Sequence, residues 1–361
     1  MKFVDEFQDP RLVKGLLKEI DALASRNTTF MEVCGTHTMA LFRYGLRAML
    51  PKLVKIISGP GCPVCVTPMN ILDAAIEAVH KKGVILVTFG DMMRVPGSMS
   101  SLEAERALGS DVRVVYSGLD SLGIAERNPD KKVIFLGVGF ETTSPSIACT
   151  VLEAARRGID NFKLIAAHKL IPPAMKALLE AGEVKLDGFI CPGHVSAIIG
   201  SEPYEFIPKK YGIPCVISGF EPVDILQSVL LLLRQIVDCV SRVEIQYSRS
   251  VKSDGNPIAK RYISEVFKIS DSDWRGLGRI PASGLVLRER FEGYDALRDL
   301  DIELKESVEP PDCMCGEILR GVRSPSECGL FGSSCTPERP VGPCMVSSEG
   351  TCAAYYRYAR H

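Results

Sequence analysis

The sequence predicts a protein of the α/β class, with two parallel-sheet units in series and a cysteine-rich tail. A chain of 361 residues is long enough for more than one compact unit. Between Phe30 and about Gln246, short apolar runs alternate with segments of helical periodicity, which is typical of parallel sheets covered by helices. From Glu309 onward the chain is dense in Cys, Pro and Gly and has few apolar runs. This tail lacks the material for an apolar core of its own, so something else must hold it together.

The first predicted element is a helix with a clear start signal. Asp9 is a suitable N-cap, and Pro10 suits the first helical position. The apolar residues that follow recur at helical spacing and form one face; they are Leu12, Val13, Leu16, Leu17, Ile20 and Leu23.

Eight short apolar runs are the predicted strands, and helices of ten or more residues are predicted between many of them. A polar turn at residues 128–130 divides the region into two α/β units, residues 30–128 and 129–246. The predicted strands are residues 30–33, 53–58, 84–89, 112–116, 132–138, 163–167, 188–190 and 215–218, and the predicted helices include residues 68–82, 145–157 and 222–240.

Charge and hydropathy exclude several classes of function. The formal net charge is −1, so no overall field attracts nucleic acid or anionic lipid. The N-terminal residues lack the apolar stretch of a signal peptide. The longest apolar stretch, Ile225–Val237, is interrupted by Gln227, Arg234 and Gln235 and is too short to span a membrane. We therefore expect a cytoplasmic protein with no nucleic-acid or membrane partner.

The chain has thirteen cysteines, an odd number that does not favour a disulfide scaffold in a chain without a secretory signal. Six lie between Cys313 and Cys352, and three lie between Cys34 and Cys65. These clusters indicate metal or redox chemistry. The four single cysteines are expected to fill the core; they are Cys149, Cys191, Cys215 and Cys239.

Four tail cysteines have the spacing C-x14-C-x6-C-x16-C; they are Cys313, Cys328, Cys335 and Cys352. Four thiolates gathered by loops suit an iron–sulfur cluster or a Zn²⁺ ion. Zinc sites usually contain paired C-x2-C knuckles, which are absent from the tail, so the spacing favours a 4Fe–4S cluster. A zinc-stabilised binding module remains the alternative.

The other two tail cysteines are Cys315 and Cys344. Because Cys315 follows Cys313 by two residues, its sulfur must lie close to the cluster. A thiol pair beside a cluster can take up or release electrons as a disulfide. The alternatives are that either cysteine substitutes as a ligand, or that both are merely packed.

Cys34 ends the first predicted strand and precedes a helical segment in which Thr36 or Thr38 is the expected N-cap. A cysteine at a helix N-terminus is exposed to the positive end of the helix dipole, which favours the thiolate. His37 could supply a proton, a second ligand or a hydrogen bond. A purely structural Cys34 is the alternative.

Cys62 and Cys65 form a C-P-V-C motif between a predicted strand and a predicted helix. A C-x-x-C at such a junction lowers one thiol pKa and permits a disulfide, which favours a redox or iron-handling pair. Half of a zinc knuckle is the competing interpretation.

Two further loops, residues 137–145 and 191–200, also follow predicted strands and contain Glu141 and His194. In a parallel sheet every such loop lies at the carboxyl edge, where ligands bind. We therefore expect several side chains to converge on one cleft between the two units, namely Cys34, Cys62, Cys65, Glu141 and His194. The chain has no G-x-x-x-x-G-K-[ST] nucleotide loop, and the GxG of residues 137–139 is weak evidence for phosphate binding.

Five segments together resemble the HypD family of NiFe-hydrogenase maturation proteins. They are VCGTHT (33–38), SGPGCPVCVTP (58–68), GFETTSP (139–145), PGHVSAIIG (192–200) and PVGPCMVSSEGTCAAYY (340–356).

The resemblance implies two Rossmann-like α/β domains and a 4Fe–4S domain built from both termini, here residues 1–29 and 247–361. It implies a HypC-type small chaperone as partner, a HypE-type partner that donates cyanide, and Fe(II) carried transiently as an Fe(CN)2CO unit. Cys34 would hold this iron together with a cysteine of the chaperone, and Cys62 and Cys65 would be a thiol pair in the same cleft. The cluster ligands would be Cys313, Cys328, Cys335 and Cys352.

A cluster beside a thiol pair is also similar to ferredoxin–thioredoxin reductase, which suggests that Cys315 and Cys344 relay electrons towards the cleft. The main hypothesis is therefore a redox-active assembly scaffold. The first alternative is a true iron–sulfur thiol–disulfide oxidoreductase that acts through Cys62 and Cys65.

Overall fold

A computed structural model describes residues 5–306 and 309–359 of the chain. The strands within these ranges are β1 (Thr28–Glu32), β2 (Val54–Ser58), β3 (Val84–Thr88), β4 (Val112–Val114), β5 (Lys132–Gly139), β6 (Phe162–His168), β7 (Gly188–Pro192), β8 (Cys215–Ser218), β9 (Val243–Ile245), β10 (Phe267–Trp274) and β11 (Gly278–Leu287). All eight predicted strands are present, with ends that differ by one or two residues.

The helices alternate with the strands as the apolar pattern predicts. They are α1 (Pro10–Leu23), α2 (Gly35–Arg43), α3 (Leu46–Met49), α4 (Pro63–Val66), α5 (Met69–His80), α6 (Leu102–Ala107), α7 (Asp120–Arg127), α8 (Ser144–Arg157), α9 (Ile171–Ala181), α10 (Gly193–Ile199), α11 (Phe206–Tyr211), α12 (Pro222–Val237), α13 (Pro257–Val266), α14 (Ala296–Asp299), α15 (Cys315–Leu319), α16 (Pro343–Val346) and α17 (Thr351–Tyr358).

Two parallel sheets organise the fold and confirm the predicted α/β class. The first sheet has the strand order β2-β1-β7-β8-β9, and the second has the order β4-β3-β5-β6. Every pairing in the two sheets is parallel. Strands β10 and β11 form a separate antiparallel hairpin. In the described ranges no helix has the length and apolar character needed to cross a membrane.

The two sheets do not follow the predicted division into residues 30–128 and 129–246. The chain leaves the first sheet after β2, forms the whole second sheet, and returns to the first sheet with β7. Strand β3 pairs with β5 from Val84↔Lys132 to Thr88↔Leu136, across the predicted boundary. Each strand can be predicted from its own apolar run. Which strands lie next to it depends on pairing between distant segments, and the apolar pattern carries no information on that pairing.

The opening helix begins as predicted, since the Asp9 side chain accepts a hydrogen bond from Arg11 N and Pro10 follows it. Its apolar face packs on α12, and Ile20 is fully buried in the same core as Phe30 of β1 and Leu226 of α12. The first helix therefore joins the first sheet, which differs from the predicted grouping of residues 1–29 with the tail.

The segment after residue 247 also differs from the predicted grouping. Helix α13 packs on α8, and the β10–β11 hairpin packs on β6 and α9. Phe267 and Phe291 are buried in the core of the second sheet. The cysteine-rich unit therefore begins near Glu309, and α16 and α17 dock it against α4 and α2.

The single cysteines are not uniformly buried, contrary to the prediction. Cys191 and Cys215 are fully buried, and Cys149 is partly buried. Cys239 is exposed because α12 ends at Val237, two residues before it, and Cys239 has a positive φ of 54°.

Candidate metal and thiol site

Cys34 lies at the carboxyl end of β1 and is itself the residue that precedes α2. Its extended backbone, with φ −151° and ψ 120°, occupies the N-cap position, so the predicted N-cap at Thr36 or Thr38 is wrong. Because Cys34 is the last residue before the helix turns, its side chain is placed at the edge of the first sheet.

The loop that carries the C-P-V-C motif lies directly against Cys34. Gly35 N–H donates a hydrogen bond to Gly61 O at 2.9 Å. A Cβ atom added to Gly61 would lie 2.1 Å from the backbone nitrogen of Cys34, far inside van der Waals contact. Only glycine permits this approach, so Gly61 fixes the C-P-V-C loop next to the cleft cysteine.

A cleft of about 430 Å³ opens beside Cys34. It is lined by loops that follow strands of both sheets and by one residue of the tail. Cys34 and His194 meet here, but the thiols of Cys62 and Cys65 and the carboxylate of Glu141 are not among the lining groups. The polar lining residues are Thr36, Thr142, Thr143, His194 and Glu349.

Burial raises the pKa of the Cys34 thiol to about 12, and the nearby Glu349 carboxylate raises it further. Backbone N–H groups of His37 and Thr36 act in the opposite direction but do not compensate. The prediction of a Cys34 thiolate, made from the helix dipole, is therefore wrong when no metal ion is bound. A neutral thiol is expected until a cation displaces its proton.

Glu349 connects the tail to this cleft and was not predicted as a site residue from the sequence. The Thr36 hydroxyl donates to Glu349 Oε1 at 2.7 Å. A Cβ on Gly35 would lie 2.4 Å from Glu349 Cβ, so the two segments are in close contact. Burial raises the pKa of Glu349. The available signal was an isolated acid within the small-residue run of residues 347–351.

Glu32 is a second missed residue, and it holds the backbone of Cys34. It is fully buried, its Oε2 accepts a hydrogen bond from Cys34 N at 3.0 Å, and its Oε1 accepts one from the Thr38 hydroxyl. Burial raises its pKa to about 7. An acid inside the apolar run FMEV was the sequence signal for this role.

His37 is buried away from the cleft, and its ring is already engaged. Its Nε2 donates to Gly219 O at 2.9 Å, and its ring stacks on Phe220 at 4.8 Å. Burial lowers its pKa to about 4, so the imidazole is neutral at physiological pH. Phe220 also stacks on His194 at 3.9 Å, which places the two histidines on one aromatic support. Among the predicted roles of His37, only a hydrogen bond is seen, and its acceptor is a backbone carbonyl.

Glu141 also faces the interior. Its Oε1 accepts a hydrogen bond from Ile171 N at the start of α9, at 3.0 Å, and burial raises its pKa to about 7. Within the described chain its other oxygen, Oε2, has no hydrogen-bond partner. The placement of Glu141 in the cleft is therefore wrong, because its neighbours Phe140 and Thr142 line the cleft in its place.

Cys62 is the N-cap of the short helix α4, Cys65 lies within that helix, and both are buried. Cys65 N–H donates to Cys62 Sγ at 3.2 Å, so the motif closes on itself. The Cys65 thiol faces the tail, where it lies 3.9 Å from Pro343 O and interacts with Cys344. Burial raises the pKa of Cys65 well above its ordinary value.

The second thiol pair lies immediately beyond Cys65. The sulfur atoms of Cys315 and Cys344 are 3.0 Å apart, and both residues are buried. Cys344 interacts with Cys65 on one side, and Cys315 interacts with Cys313. Neighbouring cysteines therefore interact in series through five residues, which we call the thiol line: Cys62, Cys65, Cys344, Cys315 and Cys313. All except the partly buried Cys313 are buried.

The thiol line ends at a small cavity that we call the four-cysteine cavity, because Cys313, Cys328, Cys335 and Cys352 all line it. The remaining wall consists of Cys315 and Cys344, Gly342, and the apolar residues Ile318, Leu330, Phe331 and Met345.

One sulfur of the four-cysteine cavity already accepts a backbone hydrogen bond, since Val341 N–H donates to Cys335 Sγ at 3.3 Å. Cys335 and Cys352 are buried, and Cys313 and Cys328 are partly buried. Four thiols around one cavity, with a backbone N–H directed at one sulfur, form a donor set suited to an iron–sulfur cluster. In the described ranges, no three His, Cys, Asp or Glu side chains are arranged to hold a single metal ion.

The fold and the site together define a class: a parallel-sheet α/β protein in which buried thiol pairs connect a four-cysteine cavity to a cysteine-lined cleft. The HypD family profile, described as the hydrogenase formation hypA family, matches residues 11–359. The chain therefore belongs to the HypD family.

Curated relatives agree with this assignment over nearly their whole length. Hydrogenase maturation factor HypD2 of Bradyrhizobium diazoefficiens is 48% identical over 100% of this chain and 97% of its own length. Hydrogenase maturation factor HypD of Azotobacter vinelandii has the same identity and coverage. The protein of that name from Escherichia coli is 44% identical over 99% of this chain and 98% of its own length.

Proposed function

We propose that this chain is a hydrogenase maturation factor that works as a redox-active scaffold. Together with a HypC-type small chaperone, it assembles the Fe(CN)2CO unit of a NiFe-hydrogenase and accepts cyanide from a HypE-type partner. One observation carries this proposal: the thiol line leads from an enclosed four-cysteine cavity to the loop that Gly61 presses against Cys34, and Cys34 lines an open cleft.

The cleft supports the handling of iron as a cargo. Cys34 is the only cysteine among the described residues that line it, so this chain offers one soft ligand and leaves other positions of the metal open. A second thiolate then comes from the chaperone. Because burial raises the pKa of Cys34 to about 12, binding of Fe²⁺ must displace the thiol proton. His194 and Glu349 are the other titratable groups in the lining and are placed to receive it.

Cysteines 313, 328, 335 and 352 would hold a 4Fe–4S cluster, which supplies single electrons when it is bound. Each thiol pair of the chain can store two electrons, because a disulfide takes up two electrons when it is reduced to a dithiol. Oxidation of a Cys62–Cys65 dithiol to the disulfide releases two electrons and two protons. These two electrons cleave the carbon–sulfur bond of a thiocyanate, so its sulfur leaves as thiolate and cyanide is released to the iron.

Exchange between the two pairs returns the electrons to Cys62 and Cys65. The Cys344 thiolate attacks the Cys65 sulfur of the disulfide, so Cys62 leaves as thiolate. Cys315 then attacks Cys344, which releases Cys65 and forms the second disulfide. A cluster in the four-cysteine cavity would supply the single electrons that reduce this second disulfide. The interaction of Cys65 with Cys344 and the 3.0 Å separation of Cys315 and Cys344 support this direct route. Since burial raises the pKa of Cys65, its proton is expected to leave with the electron.

The alternative function is an iron–sulfur thiol–disulfide oxidoreductase, and the thiol line itself favours that chemistry. The burial of the thiols argues against a protein disulfide as substrate. Cys62 is 3% exposed and Cys65 is fully buried, so a partner's disulfide cannot reach them while the tail is docked.

Infrared spectroscopy of the anaerobically isolated complex with its small chaperone tests the proposal. Bands of iron-bound cyanide and CO, absent from the Cys34→Ala variant, are expected. A wild-type complex that reduces disulfides but shows no such bands would establish the alternative function. A colourless protein loaded with zinc would exclude both. The cytoplasmic location expected from the sequence stays a prediction.

A further inference from the structure

Arg275 is a buried cation next to the cysteine-rich unit. It lies between β10 and β11, and its side chain is only 1% exposed. A guanidinium removed from water is costly unless anionic groups surround it. This burial therefore requires a structural reason.

The partners that the described chain offers satisfy this charge only in part. Arg275 Nε donates to Glu309 Oε1 at 2.7 Å, but the Glu309 side chain is 42% exposed to water. The Nη1 atom of Arg275 is buried and has no hydrogen-bond partner among the described residues. A buried, unsatisfied donor on a charged group indicates a further anionic partner.

The location of Arg275 indicates where this further anionic partner would bind. Its side chain lines a cavity of about 620 Å³ together with Cys313 and Cys315. Its backbone N–H donates to Val66 O, the last residue of α4, at 2.9 Å. Arg275 therefore contacts the C-P-V-C helix through its backbone and lines a cavity at the Cys313 end of the thiol line.

The loop that carries Arg275 cannot move away from this position. A Cβ on Gly276, which has φ +76°, would lie 2.3 Å from Gly316 Cα in the tail. Arg320 Nη1 also donates to Gly276 O, while its Nε pairs with Glu183 at 2.6 Å. Arg320 is thus committed to other acceptors.

We propose that Arg275 is the buried counter-charge of a 4Fe–4S cluster in the four-cysteine cavity and that it sets the cluster's reduction potential. The inference rests on the cluster assignment in the proposed function. A cluster held by four thiolates is anionic, and one-electron reduction adds one more negative charge. A cation fixed nearby in a poorly solvated setting stabilises the reduced state more than the oxidised state.

Acidic residues near Arg275 allow a second prediction, in which the reduction potential shifts in the opposite direction. Glu309 is paired with Arg275, and Asp312 and Glu317 also line the cavity. Neutralising Glu309 leaves the positive charge of Arg275 less compensated, so the potential should rise. Neutralising Arg275 should lower it.

The experiment is a redox titration with dithionite, followed by visible and electron paramagnetic resonance spectra, on the full-length protein purified anaerobically. Arg275→Met is expected to disfavour the reduced cluster about tenfold, which is about 59 mV downward for a one-electron couple. Arg275→Lys keeps the charge and should shift the midpoint much less, and Glu309→Gln should shift it upward. Arg279→Gln is the matched control, since this arginine of β11 is 65% exposed.

An unchanged midpoint in Arg275→Met, or an equal shift in Arg279→Gln, would overturn the inference. If Arg275→Met does not assemble a cluster, the sign of the shift in Glu309→Gln decides, and a downward or absent shift contradicts the role. Wild-type protein without iron and sulfide would instead refute the cluster, and thus the proposed function on which the inference rests.

Discussion

The cleft and the four-cysteine cavity both use cysteine sulfur, but their surroundings are opposite. The cleft is open, is lined by hydroxyl, imidazole and carboxylate groups, and offers one thiol, Cys34. The four-cysteine cavity is small, is walled by apolar side chains, and offers thiols from four separate positions. An open site with one ligand suits a metal that is loaded and passed on, whereas an enclosed site with four ligands suits a resident group.

The largest effect is expected from removing the cleft thiol. Cys34→Ala should reduce hydrogenase maturation to background, because the chain then offers no soft ligand to the iron cargo that we propose for the cleft. Hydrogenase activity in cells that carry the variant measures this, and the visible absorbance of the purified variant should keep its iron–sulfur features. Cys239→Ala, which changes an exposed cysteine, is the control. Normal hydrogenase activity with Cys34→Ala would contradict the contrast between the two sites.

Removing a proposed ligand of the four-cysteine cavity should have the converse effect: iron is lost from the protein. Cys328→Ser should cost the brown colour and much of the soluble yield, since folding of the tail is coupled to ligation. Iron and acid-labile sulfide analysis, with gel filtration, measures both losses. Cys149→Ser on α8 serves as the control. A variant with full iron content would show that Cys328 is not a ligand.

The contact between the C-P-V-C loop and Cys34 can be disturbed by a substitution that leaves every cysteine in place. Gly61→Ala should lower the free energy of unfolding by about 3 kcal/mol, because the new Cβ would lie 2.1 Å from Cys34 N. Maturation should fall while the iron content persists.

Chemical denaturation measures the free-energy change for this glycine, and Gly15→Ala is the matched control. Gly15 lies within α1, and a Cβ there meets nothing within 4 Å, so its substitution should stabilise the chain by about 0.5–1 kcal/mol. Equal effects of the two substitutions would show that the approach of Gly61 to Cys34 is not a tight contact.

An effect of similar size, confined to part of the pH range, concerns the buried Glu141. Its pKa in the folded chain is raised to about 7 from an ordinary value of 4.5. The folded state therefore binds a proton that the unfolded state has lost. Between pH 4.5 and 7 this difference removes stability as pH rises, on the order of 3 kcal/mol. Below pH 4.5 no such loss is present.

Glu141→Gln keeps an oxygen acceptor for Ile171 N and cannot ionise. The difference in unfolding free energy between variant and wild type should therefore grow in favour of the variant from pH 5 to pH 8. Denaturant titrations at several pH values measure it. A difference that does not vary with pH would show that Glu141 is not held in a desolvated environment.

Local sequence signals predict where the helices and strands lie, but they do not predict how these elements pair and pack. The apolar runs located β1 to β8, and Asp9 with Pro10 fixed the start of α1, because these features depend on neighbouring residues only. The pairing of β3 with β5 and the packing of α1 on α12 depend on contacts between distant segments.

The same limit applies to the site. The sheet-edge argument placed Cys34 and His194 in one cleft, because strand ends meet at one edge. It failed for Glu141, whose position in the loop could be predicted but whose side-chain direction is set by Ile171 N. It could not find Glu349, which reaches the cleft only because the tail folds back onto α2.

The excursion of the chain into the second sheet has a consequence for the order of folding. Strand β1 is a central strand, yet its partner β7 begins only at Gly188, which pairs with Phe30. The strands of the second sheet all lie between Val84 and His168, so their contacts are closer along the chain. Closing long loops is slow, and during synthesis the later partner does not yet exist. During synthesis, all strands of the second sheet should therefore leave the ribosome before β7 does. Until β7 follows, the side of β1 that pairs with β7 has no partner strand.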